Sequence, residues 1–77
     1  MAWLRVFDPP PDETEHSLTL PGGESVPVRW VRDSRARRLR LIVNDRGVRL
    51  TLPRRASVRL ANSFLLEHRD WLQAQLA

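Results

Sequence analysis

The sequence predicts an α+β domain: a small antiparallel sheet of three to four strands, with one C-terminal helix packed on one face. Three observations carry that prediction. In RARRLRLIVNDRGVRLTLP, from Arg35 to Pro53, two runs of alternating apolar residues flank a polar turn ending in glycine. A second, weaker pair of alternating runs brackets Pro21-Gly22-Gly23-Glu24. After Ser57, apolar residues recur at helical spacing as far as Gln75.

Taken in order, the chain begins with MAWLRVF, which suits either an edge strand or a loose start. Asp8-Pro9-Pro10-Pro11-Asp12-Glu13 follows, and its prolines oppose helix and ladder pairing alike. Residues 1–15 therefore read as a flexible segment with a proline-rich linker, and residues 16–77 as a single α+β domain. Ser17 to Leu20 is a short candidate strand with Leu18 and Leu20 on one face. A second strand runs from Ser25 to Arg32, with Val26, Val28 and Trp30 on one face. Pro27 lacks an N–H, so this strand is expected at an edge, or with Pro27 on its unpaired side.

Asp33 to Ala36 connects into a β-hairpin. Leu39, Leu41 and Val43 should lie opposite Leu52, Leu50 and Val48, because a one-residue slip would turn half of these side chains to solvent. Asn44 to Gly47 supplies an even-numbered loop, with Gly47 free to adopt positive φ. Ser57 is a good N-cap for a helix from Val58 to about Gln75. Val58, Leu60, Ala61, Phe64, Leu65, Trp71, Leu72 and Leu76 fill its apolar arc, and Phe64 and Leu72 are the expected contacts to the hairpin. No glycine cap, proline or basic last turn ends the pattern before Ala77. The domain is accordingly expected to be the N-terminal part of a longer protein.

Composition excludes several function classes. The 77 residues contain no cysteine, which removes disulfides, thiolate metal ligands and cysteine nucleophiles. No run of eighteen apolar residues spans a membrane and no signal peptide is evident, so a cytoplasmic protein without a membrane partner is expected. The net charge is +4, and all 13 basic residues are arginines, which suit bidentate contact with phosphate or carboxylate. Most acids fall between Asp8 and Glu24, and most arginines between Arg29 and Arg59. A basic middle of this kind permits anion or nucleic-acid binding.

No nucleophile elbow, P-loop or dinucleotide fingerprint occurs. His68 follows Glu67, but no second histidine stands one turn away to complete a zinc-protease H-E-x-x-H, and His68 reads as a half-buried residue between Phe64 and Trp71. Neither catalytic residues nor metal ligands are predicted. What remains is an anion-binding candidate made of Arg35, Arg37, Arg38, Arg40, Arg54 and Arg55, the last two near a helix N-terminus that also favours anions. Its alternative is a solvated face whose arginines pair with Asp33, Asp45 and Asp70.

The order of Arg35-Ala36-Arg37-Arg38, the alternating strand, Gly47, Pro53, Ser57, Phe64 and Arg69-Asp70-Trp71-Leu72 resembles the N-terminal part of the YgjP-like metal-dependent hydrolases. These are bacterial relatives of the WLM and SprT-like zincins. The resemblance covers about residues 31–76. It implies a β-rich region ahead of a peptidase-like catalytic helix, with zinc or another divalent metal bound in that later part. The segment that would carry the ligands is absent here, so the resemblance transfers a scaffold and no site. The expected function is therefore a non-catalytic N-terminal domain, with the C-terminal catalytic domain as partner and an arginine face toward an anionic substrate. The alternatives are a stand-alone nucleic-acid- or phosphate-binding module, and a protein-interaction domain using Trp3 or the strand edge at Pro27.

Overall fold

The computed structural model describes residues 12–77. The Met1–Phe7 segment, Trp3 and most of the proline-rich linker lie outside the described residues. Four strands form one sheet: β1 (Glu13–Thr19), β2 (Ser25–Asp33), β3 (Arg40–Asn44) and β4 (Gly47–Pro53). Two helices follow, α1 (Val58–Glu67) and α2 (Arg69–Leu76). The α+β class and the strand count agree with the sequence. The first strand begins earlier than expected, so Glu13 to Glu15 belong to the sheet and not to a flexible segment.

The strand order is β1-β2-β4-β3, and one of its three pairings corrects the antiparallel expectation. β1 and β2 are antiparallel, as are β3 and β4, but β2 and β4 run parallel, with Val28 beside Val48 and Trp30 beside Leu50. The physical reason lies in the two hairpin strands. Every second residue of β4 is buried (Val48, Leu50 and Leu52), whereas β3 has no fully buried residue and carries exposed Arg40 and Asn44 at its ends. The longer strand, with three side chains to bury, takes the interior position, and the five-residue strand with exposed polar ends takes the edge, as short edge strands commonly do. The connection 34–39 must then cross the C-terminal end of β4, about two strand spacings or 10 Å, which six residues span with ease.

β2 is consequently an internal strand rather than an edge. Pro27 is tolerated because the ladder to β4 starts one residue later, at Val28. The hairpin register is as the leucine spacing requires, with Leu41 facing Leu50 and Val43 facing Val48. The turn itself is tight. Asn44 pairs with Gly47, the Asn44 Oδ1 accepts from the Arg46 N–H at 2.9 Å, and Gly47 has φ 111°. No other described residue except Gly23 has positive φ, so Asp45 and Arg46 form a turn of ordinary hand, which Gly47 corrects to match the strand twist.

The core is one-sided. Leu18, Leu20, Val28, Trp30, Val48, Leu50 and Leu52 from the sheet meet Ala61, Leu65 and Leu72 from the helices. Phe64 and the β3-side residues Leu39, Leu41 and Val43 are half-buried against this cluster. The helical arc is narrower than its apolar content suggested, since Val58, Leu60, Trp71 and Leu76 are exposed. A single helix from Val58 to Gln75 is also corrected. It breaks at His68, whose φ of −105° and ψ of 11° leave the helical region. There the imidazole Nδ1 sits 2.8 Å from the Phe64 carbonyl, so a side chain enters the backbone ladder where the backbone N–H of His68 also reaches at 3.2 Å. Beyond the break, the Gln73 Oε1 accepts from the Gly22 N–H at 2.7 Å and ties α2 to the β1–β2 turn.

Candidate anion-binding site

The crossover that the strand order imposes also builds the site. Residues 34–39 must bend over the end of β4, and the bend is started locally: the Asp33 Oδ1 accepts from the Arg35 N–H at 2.9 Å, and the Ala36 N–H donates to the Asp33 carbonyl at 3.0 Å. Beneath the bend lies a cleft of about 440 Å³ lined by Asp33, Arg35, Ala36, Arg37, Arg38, Leu39, Arg40 and Thr51. Arg40 and Thr51 are register partners on β3 and β4, so the floor of the cleft is sheet and its wall is loop.

Four of the six arginines picked from the sequence, Arg35, Arg37, Arg38 and Arg40, thus line one cleft. Arg54 and Arg55 do not line it. They follow Pro53, which is in register with Asp33, so they flank the same end of the sheet. Arg54 lies 3.5 Å from the Asp12 carboxylate, an exposed ion pair of small energetic weight. The alternative pairing of the cluster with Asp33, Asp45 and Asp70 is not formed among the described residues: the Asp33 carboxylate accepts a backbone N–H, and Arg54–Asp12 is the ion pair present. Asp33 is the one acid among the lining residues against four arginines, so the local potential stays positive, the condition that attracts an anion.

Two neighbours were not legible from the sequence. Thr51 enters the cleft only through its register with Arg40. Arg32 was one arginine among thirteen, yet its Nη1 donates to the carbonyls of Ala56 at 2.6 Å and Arg54 at 3.0 Å, fixing the strand-to-helix connection beside the site. At the helix start, the Ser57 Oγ accepts from the Leu60 N–H at 3.0 Å, so one of the free donors there is already satisfied.

On the helix side, Leu41, Phe64, His68 and Trp71 line a shallow apolar groove of about 220 Å³. His68 is half-buried there with its ring 4.2 Å from that of Phe64. His16, the other histidine, stacks on Trp30 at 3.9 Å. No group of three or more His, Asp or Glu close enough to hold a metal occurs among the described residues. No helix among them is long and apolar enough to cross a membrane. No family model, curated protein or solved structure matches the chain.

Proposed function

We propose that this chain is a non-catalytic domain that holds an anionic group in the cleft under the β2–β3 connection. The observation that carries the reading is the convergence of Arg35, Arg37, Arg38 and Arg40 on one cavity, none of the four in an ion pair with another described residue. Guanidinium groups offer paired N–H donors that match phosphate and carboxylate oxygens. A cleft of about 440 Å³ suits one such group with part of the molecule bearing it. Titrating inorganic phosphate at low salt tests this directly. Amide shifts confined to residues 33–40 and Thr51 support the reading, and their absence rules it out.

The wider setting we propose is the N-terminal scaffold of a cytoplasmic metal-dependent hydrolase of the YgjP-like kind, with the cleft facing its anionic substrate. The resemblance supports this, together with the apolar groove in which Trp71 remains 45% exposed, a surface suited to a following domain. A reading frame that continues past Ala77 into H-E-x-x-H and a later histidine is the expected result. A continuation lacking them removes the hydrolase half of the proposal and leaves the anion site standing.

A further inference from the structure

The sheet has a second face, and no described helix covers it. Because side chains alternate, burial of Val48, Leu50 and Leu52 toward the helices sends Arg49 and Thr51 to the other side. Register then assembles that face row by row. One row reads Glu15, Arg29, Arg49, Ile42, and the next reads Glu13, Val31, Thr51, Arg40. None of these residues is fully buried.

Arg29 and Arg49 are direct neighbours on adjacent strands, about 5 Å apart at the backbone. Like charges so placed oppose sheet pairing. Neither has an ion-pair partner among the described residues, and the Arg49 Nε is buried without a hydrogen-bond partner there. Arg40 stands diagonally from Arg49, about 7–8 Å away. Arg40 also lines the cleft, whose one acid is Asp33, so a line of arginines leads from Arg29 through Arg49 and Arg40 to Arg38, Arg37 and Arg35. Glu15, facing Arg29, closes the far end with an opposite charge.

We infer that this arginine line is a binding track for a single-stranded nucleic acid, with the cleft as one phosphate position along it. The inference rests on the anion-binding reading of the cleft. A lone anion uses one end of the line, whereas a phosphodiester chain presents repeated charges to its whole length. Among the described residues the face carries no helix or β-ribbon that would enter a duplex groove, and a flexible strand follows a sheet surface as a rigid duplex does not. Its non-polar members among the described residues, Val31, Ile42 and Pro27, are aliphatic and offer no ring for base stacking, so recognition on this face is of the backbone, indifferent to sequence.

The test uses the full chain, inorganic phosphate, and an oligothymidylate of about ten nucleotides, within the site sizes of single-strand binders. Six phosphate contacts, one for each arginine of the line, predict roughly a 300-fold loss of oligonucleotide affinity between 50 and 200 mM salt. Arg49→Gln and Arg29→Gln should weaken oligonucleotide binding and lower the salt slope by about one contact each, while leaving phosphate binding unchanged. Arg37→Gln should weaken both ligands. Phosphate binding with an oligonucleotide no tighter than a mononucleotide, or with both sheet variants matching the wild type, overturns the track and spares the cleft. Binding of neither ligand overturns both. A duplex that binds as tightly as the single strand overturns the assignment to single strands. Unchanged amide dispersion in each variant confirms that the fold is retained.

Discussion

Arg32 and Ala56 are joined by a hydrogen bond of 2.6 Å from the guanidinium Nη1 to the backbone carbonyl, and the same nitrogen lies 3.0 Å from the Arg54 carbonyl. One side chain on β2 thereby fixes the connection between β4 and α1. Hydrogen bonds from a charged donor contribute about 1.5–3 kcal/mol, so Arg32→Ala should lower stability by about that amount. Arg32→Lys should recover only part of it, since a single ammonium lacks the planar fork. Urea denaturation measures both, and equal stability of Arg32→Ala and wild type would show that the clamp contributes nothing.

The one-sided core predicts opposite outcomes for side chains one strand apart. Leu50 is fully buried, and Leu50→Ala should cost about 2–5 kcal/mol. A domain of this size has roughly 4–12 kcal/mol in total, so a large share of its stability would go. Ile42, on the face without helices, should tolerate Thr at a cost of about 1 kcal/mol or less. Comparable losses in the two variants would refute the assignment of faces.

Glycine is required at Gly47 for its backbone and not for space. With φ at 111° and no atom within 4 Å of where a Cβ would stand, Gly47→Ala should cost about 1–2 kcal/mol, all of it conformational. Gly22 is the control. A Cβ there meets the Gln73 Oε1 at 3.2 Å, the tip of a side chain that can move, so Gly22→Ala should be milder in thermal melts.

The helix start depends on one hydroxyl. Ser57→Ala removes the acceptor for the Leu60 N–H, and the expected loss is about 1 kcal/mol. For a domain this small that lowers Tm by about 4–8 °C. Ser57→Asp should restore it, because a carboxylate caps the same donor and suits the helix dipole.

Much of this structure was legible in local spacing. The Leu41–Leu50 and Val43–Val48 pairs, the Gly47 turn, the Ser57 cap and the Arg35–Arg40 cluster all follow from residues near one another in the chain. For β2, Pro27 allows either an edge strand or an unpaired side at that residue, and the structure takes the second: Pro27 pairs only with β1, and the ladder to β4 starts at Val28. The helix break was hidden because the apolar period continues through it: Leu65 and Leu72 are both buried although His68 interrupts the backbone between them.

The sequence by itself determined which face of each strand is apolar, where the turns fall and where the helix begins, since those depend on side-chain alternation and on backbone preferences of single residues. Strand order was decided only in three dimensions. Placing β4 between β2 and β3 buries its three apolar side chains under the helices, and no local signal records that competition between strands. The same choice sends the β2–β3 connection over the end of β4, closing the arginine cleft. It also sets Arg29 beside Arg49, residues far apart in the chain whose proximity exists only in the assembled sheet.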